Sequence, residues 1–327
     1  MKDKKLVAIG EALIDFIPAE KGCAFDDVTS FFPAVGGAPA NVCGAFSRLG
    51  GRSAFLTQLG DDPFGHKIER YLKDTGIDTS NILFTDKANT ALAFVSLDEN
   101  GDRTFSFYRN PSADMLYDES MVPEDAFDDA FALHFCSVSL GDFPMKEAHR
   151  KAVELASSKG CLISFDPNLR FPLWKDPADL KAAVDEFLPM ADILKVSDEE
   201  LEFITGESDI DSALPKLFKG NVKLVLYTCG ADGAYAITRK TRAFAPSVKC
   251  DVVDTTGAGD ASVGSFLWKL MMTDTDRSNI EDLTGEALSD ALTFMSGYCA
   301  ISVGGKGAIP SYPSLEEVLQ KIAGQGR

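Results

Sequence analysis

The sequence is short of the residues that build metal clusters, structural disulfides and membrane spans. Its 327 residues include 3 histidines and 7 scattered cysteines, without a C-x-x-C pair or another zinc-ligand spacing. No apolar run approaches the roughly 18 residues that a transmembrane helix needs. The N-terminus leads into a strand-like run without the apolar core of a signal peptide. We therefore expect free, mostly buried thiols in a protein of the reducing cytoplasm.

Positive charge is also scarce. Lys and Arg number 32 against 50 Asp and Glu, which gives a formal net charge of −18. Nucleic acids and anionic membranes are bound through clustered Lys and Arg, so neither is an expected partner. The composition, 45% apolar and 25% charged, is ordinary for a globular protein. Because no Pro/Ser-rich linker interrupts the chain, we expect a single domain over residues 1–327.

Strand-like runs alternate with helix-like runs along most of the chain. Apolar runs suited to burial on both faces lie at 6–9, 54–56, 132–136, 161–165, 193–196 and 223–227, and a further strand-like run ends at 252–253. Helical periodicity is found at 39–49, 62–74, 145–158, 258–272 and 283–303. Doubly buried strands separated by helices are typical of a parallel sheet between helix layers, so the predicted fold class is α/β.

Two segments interrupt this alternation with strands and turns but no helix. One covers residues 15–35, and the other pairs 91–97 with 103–108 across a hairpin turn signal at 98–102. Both are rich in phenylalanine, with Phe16, Phe25, Phe31, Phe32, Phe94, Phe105 and Phe107. The simplest interpretation is a peripheral sheet packed on the core.

The motif D-T-T-G-A-G-D at 254–260 lies between a strand-like run and an apolar helical stretch. Gly257, Ala258 and Gly259 should therefore sit at a helix N-terminus, where backbone N–H groups and the helix dipole bind an anion. Asp260 adds a carboxylate to this anion site. Such a carboxylate suits a base that takes a proton from a hydroxyl attacking a phosphate. The alternative is a glycine turn before a helix that Asp260 merely caps.

Two common nucleotide-binding motifs are missing. No G-x-x-x-x-G-K-S/T occurs, and Ser262 stands where the dinucleotide fingerprint needs its third glycine. These absences argue against a P-loop protein and against a dinucleotide-dependent oxidoreductase. A second motif, G-G-A-P-A-N at 36–41, has a diglycine before Pro39 at an expected first helical position. By itself this motif would be an ordinary junction between a loop and a helix.

Together the two motifs resemble the signatures of the ribokinase-like sugar kinases, the pfkB family, and the resemblance covers essentially the whole chain. It implies a three-layer α/β/α fold with a mostly parallel central sheet. It also implies a small β-lid, formed by residues 13–35 and 88–110, that covers the sugar and joins two subunits in a homodimer. The implied reaction is transfer of the γ-phosphoryl group of ATP to a sugar, with Mg²⁺ on the phosphates.

The resemblance also assigns roles to single residues. Asp260 would be the base, and the N–H groups of Gly257, Ala258 and Gly259 would stabilise the charge together with Arg170. The sugar would be held by Asp15, Gly36, Gly37, Asn41, Asp260 and Arg109. The nucleotide would be bound by Asn168, Lys195, Thr228, Gly230, Gly233, Gly257 and Gly259. Mg²⁺ would be held through water by Glu200, although Ser197 replaces the asparagine that many relatives carry nearby. K⁺ would be held by Asp254, Thr256, Ser302, Gly305, Gly307 and Ser311.

The segments at 90–95, 101–114 and 133–137 resemble those of fructokinases, which implies D-fructose as the acceptor and its 6-hydroxyl as the nucleophile. Arg109 would also suit an acid substrate, so a 2-keto-3-deoxygluconate kinase is the alternative within the family. A catalytically silent sugar sensor on the same scaffold is the alternative outside enzymes. Loss of Asp260 or of the glycine loop would mark such a sensor, and both are intact.

Overall fold

The computed structural model describes residues 3–20, 22, 25–97 and 103–325. Its strands are β1 (Lys5–Ile9), β2 (Leu13–Pro18), β3 (Phe31–Gly36), β4 (Arg52–Gly60), β5 (Ile77–Asp78), β6 (Ile82–Thr85), β7 (Ala91–Leu97), β8 (Arg103–Tyr108), β9 (Ala130–Cys136), β10 (Leu162–Asp166), β11 (Ile193–Ser197), β12 (Leu224–Thr228), β13 (Ala234–Thr238) and β14 (Arg242–Ala245). Its helices are α1 (Ala38–Arg48), α2 (Pro63–Asp74), α3 (Met145–Ser158), α4 (Pro177–Phe187), α5 (Asp198–Thr205), α6 (Ile210–Leu217), α7 (Ala258–Met272), α8 (Gly285–Ser302) and α9 (Leu315–Gln325).

The larger sheet consists mainly of parallel strands. Its order is β14-β13-β12-β11-β10-β9-β1-β4-β5, and β6 also pairs with β4. All neighbours from β12 to β5 run parallel, whereas β13 and β14 form an antiparallel edge. The predicted α/β class with a mostly parallel central sheet is therefore confirmed.

Helices cover both faces of this sheet, because alternate residues of a strand point to opposite sides. On β1, Leu6 and Ala8 belong to an apolar core shared with α1, α7 and α8. Val7 and Ile9 belong to a second core, shared with α3 and α4. All of these β1 side chains are fully buried. The molecule is thus layered helix, sheet, helix, as the family resemblance implies.

A separate four-stranded sheet, in the order β3-β2-β7-β8, contains both segments that interrupt the alternation. We call these four strands the lid. β7 and β8 form the predicted antiparallel hairpin, whose turn at 98–102 lies outside the described residues. Phe16 stacks on Phe94 with ring centroids 4.7 Å apart, and the Phe31 ring meets both edge-on. Phe32, in contrast, is 65% exposed.

The prediction of a strand that ends at 252–253 is wrong. Val252 and Val253 lie in an irregular segment and are largely exposed. The N–H groups of Val253 and Asp254 both donate to the carbonyl of Val303, at 2.8 and 3.1 Å. The segment is therefore tied to the end of α8, although its β-branched residues favour a strand.

The cysteines differ in burial, although the sequence predicts that most of them are buried. Cys43, Cys136 and Cys161 are buried, whereas Cys229, Cys250 and Cys299 are partly exposed, and all six are free. Cys23 lies outside the described residues. Among the described residues, no helix combines the length and the apolarity that crossing a bilayer requires.

Candidate active site

The C-terminal ends of the parallel strands meet at one edge of the larger sheet, where open α/β folds bind ligands. Asp166 ends β10, Ser197 ends β11 and Thr228 ends β12. Only residues 10–12 separate β1 from β2, so the lid leaves the body of the protein at this same edge. The edge therefore brings together the loops that carry most of the predicted site residues.

Helix α7 begins at the predicted anion-binding motif. Gly257 is its N-cap with φ of 71°, a left-handed conformation that favours glycine. A Cβ at this position would lie 2.5 Å from Cβ of Ala308 and 2.6 Å from Oη of Tyr312, so a side chain has no room. The Ala258 N–H donates to the carbonyl of Thr255 at 3.1 Å. The predicted helix N-terminus is therefore present. The Ala258 N–H, one of the three donors expected to bind the anion, is hydrogen-bonded within the protein.

Asp260 lies in the first turn of α7 and is 8% exposed. Its Oδ2 accepts a hydrogen bond from Nδ2 of Asn41 at 2.8 Å, which joins the two sequence motifs across 219 residues. Burial raises the pKa of Asp260, while the Asn41 hydrogen bond and the charges of Arg170 and Lys195 oppose this shift. A carboxylate with a raised pKa is a better proton acceptor near neutral pH than an exposed aspartate.

The ammonium group of Lys195 lies between two buried carboxylates. Its Nζ is 3.2 Å from Oδ1 of Asp166 and 3.3 Å from Oε2 of Glu200. Although burial disfavours its charge, these carboxylates raise the pKa of Lys195, so the ammonium stays protonated. Burial, opposed by Lys195, raises the pKa of Asp166 to about 7. Nζ also lies 3.9 Å from where a Cβ on Gly259 would be, which puts positive charge beside the first turn of α7.

Glu200 receives protein donors on both carboxylate oxygens. Oε1 accepts the N–H of Leu169 at 2.9 Å, and Oε2 accepts the N–H and the hydroxyl of Ser197, each at 2.9 Å. Lys195 and these hydrogen bonds outweigh the effect of burial and lower the pKa of Glu200. Ser197 thus joins the end of β11 to the first turn of α5.

Two observations bear on the predicted Mg²⁺. Within the described ranges, no group of three or more His, Cys, Asp and Glu side chains is arranged to bind a metal ion. The pKa of Glu200 is lowered, and its oxygens already accept hydrogen bonds. This donor set fits an ion held mainly by nucleotide phosphates and water, with Glu200 as an outer contact.

The D-x-N-x-R turn follows β10. Asn168 has φ of 43°, an uncommon conformation for a residue other than glycine, and its N–H donates to Oδ1 of Asp166 at 3.1 Å. Arg170 is exposed, and its Nη1 donates to the carbonyl of Leu169 at 3.0 Å. Because Arg170 affects the pKa of Asp260, its charge acts on the predicted phosphoryl-transfer site.

Asp15 lies inside β2, paired with Ala34 on β3 and Ala93 on β7. Asp15 thus lies within the predicted lid segment 13–35. The chain turns within residues 10–12 and enters the lid directly, so Asp15 is carried by a strand. Its carboxylate lies beside the diglycine, because Oδ2 of Asp15 is 2.2 Å from where a Cβ on Gly36 would be.

The diglycine before α1 lets two backbones approach each other closely. A Cβ on Gly36 would lie 2.2 Å from Oδ2 of Asp15. Gly37 has φ of 120°, and a Cβ there would lie 2.5 Å from the carbonyl oxygen of Glu11. Any larger residue at 36 or 37 would displace the Asp15 carboxylate or the backbone at Glu11.

Glu11 is a buried carboxylate that the sequence motifs do not single out. It is 2% exposed, and its Oε1 accepts the N–H of Ala38 at 3.3 Å. Its Oε2 accepts the hydroxyl of Ser139 at 3.0 Å. Burial raises the pKa of Glu11, and the charge of Arg109 opposes that shift. Glu11 therefore links the end of β1 to the residue that follows the diglycine.

Arg109 forms a buried ion pair with Asp114, and the two side chains are 5% and 1% exposed. Nε and Nη2 of Arg109 both donate to Oδ2 of Asp114, Nε at 3.1 Å. Nη1 donates to the carbonyl of Val138 at 3.1 Å, and Nη2 also donates to Oγ of Ser139 at 3.2 Å. The Phe143 ring centroid lies 5.5 Å from the guanidinium carbon. Arg109 is thus fixed in place and its charge is compensated.

The predicted nucleotide-binding turn joins β12 to β13 beside these groups. Thr228, the last residue of β12, pairs with Ser197. The N–H of Cys229 donates to the carbonyl of Gly233 at 2.8 Å and closes the turn. Gly230 and Gly233 have φ of 50° and 125°, so both positions favour glycine.

Residues predicted for the monovalent cation connect the start of α7 with the loop after α8. Oδ1 of Asp254 accepts the N–H and the hydroxyl of Thr256, at 2.9 and 2.6 Å. Oδ2 of Asp254 accepts the N–H of Gly307 at 2.9 Å. Asp254 therefore holds the two loops against each other.

The other members of that predicted cation site gather around Ser311. Its hydroxyl donates to the carbonyl of Gly307 at 2.8 Å and lies 3.4 Å from the hydroxyl of Ser302. A Cβ on Gly305 would lie 2.8 Å from Cβ of Ser311. Carbonyl and hydroxyl oxygens of this kind suit K⁺, whose role here stays a prediction.

Comparison with protein families decides the affiliation of the chain. A model described as pfkB family carbohydrate kinase matches residues 3–315. The chain belongs to the pfkB family of carbohydrate kinases. A similar curated protein, probable fructokinase-4 of Arabidopsis thaliana, is 43% identical over 321 residues, which cover 98% of this chain and 97% of that protein.

Solved structures of pfkB kinases agree in fold. Fructokinase of Xylella fastidiosa with bound ATP superposes with a TM-score of 0.92 at 34% identity, covering 99% of this chain and 100% of that chain. A double mutant of Vibrio cholerae O395 fructokinase, solved with fructose, ADP and potassium ion, superposes with a TM-score of 0.86 at 33% identity and covers 98% and 99%. The ribokinase-like fold is therefore confirmed.

Sequence reasoning assigned no role to three buried carboxylates at this pfkB site, Glu11, Asp114 and Asp166. A signal existed for Glu11 and Asp166, because each is a charged residue at the end of an apolar strand. Asp114 gave a weaker signal, an opposite charge five positions from Arg109. Burial of that pair depends on the packing of residues 138–143 over it, which local sequence does not reveal.

Proposed function

We propose that this kinase transfers the γ-phosphoryl group of ATP to D-fructose and forms D-fructose 6-phosphate. The observation that carries the proposal is the hydrogen bond from Asn41 to Asp260 at the N-terminus of α7, which puts a buried base beside an anion-binding helix end. The fructokinases to which the chain is similar over nearly its whole length support fructose as the acceptor.

In the proposed reaction, Asp260 takes the proton of the sugar's 6-hydroxyl as its oxygen attacks the γ-phosphorus and ADP leaves. The charge that develops on the transferring group is stabilised by backbone N–H groups of Gly257 and Gly259, whereas the Ala258 N–H is hydrogen-bonded to Thr255. Arg170 and Lys195 supply positive charge nearby. Mg²⁺ bound to the phosphates would supply further positive charge.

On the sugar side, the Asp15 carboxylate accepts hydrogen bonds from sugar hydroxyls. The backbone at Gly36 and Gly37 offers close contact without a side chain, and Asn41 fixes the orientation of Asp260. Movement of the lid toward the sheet edge excludes water and so limits hydrolysis of ATP. Thr228, Gly230, Gly233 and Asn168 form the proposed nucleotide side.

A coupled assay of ADP release across fructose, ribose, adenosine, fructose 6-phosphate and 2-keto-3-deoxygluconate tests the proposal. Fructose should give the highest kcat/KM, and Asp260→Asn supplies the background of uncatalysed ATP hydrolysis. A higher value for the keto acid would make the acid kinase the correct assignment. Binding of fructose without turnover of any sugar would instead support the sensor.

The proposal includes a K⁺ ion held by Asp254 and the 302–311 loop. Support comes from the hydrogen bonds that join these segments and from the potassium ion in the Vibrio cholerae fructokinase. K⁺ should raise the rate relative to Na⁺ and tetramethylammonium at fixed ionic strength, and Asp254→Asn should abolish the difference. Equal rates of the unaltered enzyme in the three salts would contradict this role.

The proposal also includes a homodimer joined through the lids. Phe32 and Tyr108 are 65% and 63% exposed on this sheet, and Phe25 beside it is 39% exposed. Large exposed apolar surfaces usually mark interaction sites, and the edge strands β3 and β8 offer unpaired backbone groups.

A further inference from the structure

Fructose and 2-keto-3-deoxygluconate are both six-carbon chains with a carbonyl at C2, and they differ in charge at C1. Fructose carries a hydroxymethyl group there, whereas the keto acid carries a carboxylate. When the 6-hydroxyl of either molecule faces Asp260, C1 points away from it. Discrimination by charge would therefore act at the end of the sugar site remote from Asp260, which we place on the side of the lid.

Arg109 lies at that end. It follows β8 directly. The cross-strand pairs of the lid form a row of neighbouring residues that leads from β3 to Arg109. Gly36 pairs with Leu13, Leu13 pairs with Ala91, and the next pair along the hairpin is Leu92 with Tyr108. Continued by one pair, this antiparallel register brings Arg109 opposite Ala91, in the row that begins at Gly36.

Side chains also connect Arg109 to the sugar loop. Its Nη2 donates to Oγ of Ser139, and that hydroxyl donates to Oε2 of Glu11 at 3.0 Å. Oε1 of Glu11 in turn accepts the N–H of Ala38, directly after the diglycine. The guanidinium is thus two side chains away from the backbone proposed to contact the sugar.

We propose that Asp114 makes this site selective for an uncharged sugar, because it binds Arg109 and compensates a guanidinium that would otherwise be able to receive a substrate carboxylate. The inference rests on the proposed function and names the residue that separates it from the acid-kinase alternative. Asp114 contacts no substrate and acts through Arg109, so it is a positioning residue.

The physical reason is competition for the same N–H groups. A substrate carboxylate that took Nε and Nη2 would displace the Asp114 carboxylate, which is 1% exposed and would be left as an unpaired buried charge. A carboxylate that approached without displacing it would add a third negative group beside Glu11 and Asp114. A hydroxymethyl group meets neither penalty. The pair therefore penalises the acid and leaves the neutral sugar unaffected.

The test compares kcat/KM for fructose and for 2-keto-3-deoxygluconate in the full-length enzyme. Asp114→Asn keeps the size of the side chain and removes its charge, which leaves Arg109 without its ion-pair partner. Asp142→Asn is the matched control, because Asp142 is exposed, adjoins Phe143 and carries the same charge. The double variant Arg109→Gln/Asp114→Asn asks whether any gain depends on the guanidinium.

We expect the ratio of acid to fructose to rise at least about tenfold in Asp114→Asn, to stay unchanged in Asp142→Asn, and to return to the parental value in the double variant. An unchanged ratio in Asp114→Asn, or a rise that persists without Arg109, overturns the inference. If Asp114→Asn melts below the assay temperature, the ratio in Asp114→Ser decides instead. Absence of fructose turnover in the parental enzyme would refute the proposed function rather than this inference.

Discussion

Asp260 combines burial with the hydrogen bond that Asn41 donates to it, and this combination lets its catalytic role be separated from binding. Asp260→Asn keeps the shape of the side chain but cannot accept the proton of the attacking hydroxyl. We expect kcat to fall about 10²–10⁴-fold, the usual loss of a general base. Binding of fructose and of ATP, measured by calorimetry, should persist.

Near-parental turnover in Asp260→Asn would remove the base from the mechanism. Loss of ATP binding together with turnover would mean that the carboxylate mainly shapes the helix N-terminus. A thermal melt of the variant distinguishes both results from unfolding.

Asn41 predicts a change in pH dependence. Its amide donates to the ionised form of Asp260 and so favours that form against the effect of burial. Asn41→Ala removes this donor, which raises the pKa of Asp260 further. Because the base must be deprotonated, the acidic limb of the pH profile of kcat/KM should move to higher pH.

Ser47→Ala is the control for Asn41→Ala, since Ser47 lies on the same helix but is hydrogen-bonded to Ser53 and not to the site. Its acidic limb should coincide with that of the parental enzyme. A limb that moves to lower pH in Asn41→Ala would show that another group controls it.

Single residues were predictable from sequence where one short motif contained both the geometry and the chemistry. Gly257 and Asp260 are of this kind. A glycine before a helix predicts the anion-binding turn, and the carboxylate in the first helical turn predicts the base beside it. Glu11 and Asp114 were not, because each acquires its role from partners far along the chain or from burial. Ser139 meets Glu11 across 128 residues, and no local pattern announces such a contact.

Among the secondary-structure elements, the N-terminus of α7 depends on Gly257 for two separate reasons, its φ and its lack of space. Gly257→Ala would strain the left-handed backbone and push a methyl group against Ala308 and Tyr312. We expect a fall in thermal stability and a loss of kcat of about 10²-fold, because the anion-binding N–H groups would shift.

Gly50→Ala isolates the backbone contribution. Gly50 has φ of 83°, but a Cβ there meets nothing within 4 Å. It should cost only about 1–2 kcal/mol of stability, the price of the left-handed conformation, and leave kcat unchanged. Equal effects of the two substitutions would mean that the packing of Gly257 against Ala308 and Tyr312 is unimportant.

Elements with strong periodicity were predicted well, and elements defined by their neighbours were not. The helix expected at 145–158 is α3, and both lid strands of the hairpin have their predicted bounds. The antiparallel edge strands β13 and β14 and the short β5 and β6 were not predicted, because partner strands rather than their own composition stabilise them. For residues 252–253 the reverse holds: their composition predicts a strand, but no partner strand pairs with them among the described residues.

For the whole molecule, the lid predicts an assembly. Phe32→Lys places a charge on a lid phenylalanine that is 65% exposed and should convert a dimer into a monomer of about 35 kDa, measured by light scattering. Leu319→Lys is the control, because Leu319 is 54% exposed on α9, away from the lid. It should leave the oligomeric state unchanged.

A parental protein that is already monomeric, with and without fructose and an ATP analogue, would contradict the lid interface. The aromatic cluster of Phe16, Phe31 and Phe94 would then be enough to stabilise the lid within one subunit. The sequence predicted that the lid exists, but not how its rings divide between its interior and its surface.

The hydrogen bond between Asn41 and Asp260 also has a consequence for protein synthesis. The ribosome makes its two ends 219 residues apart, which at typical rates separates them by roughly ten to forty seconds. During that interval α1 exists without α7, whose Gly264 packs against the backbone of Val42. We therefore expect the nascent chain to carry an unfinished apolar face during that interval, and the start of α7 gains the hydrogen bond from the Tyr312 hydroxyl to the carbonyl of Gly257 later still.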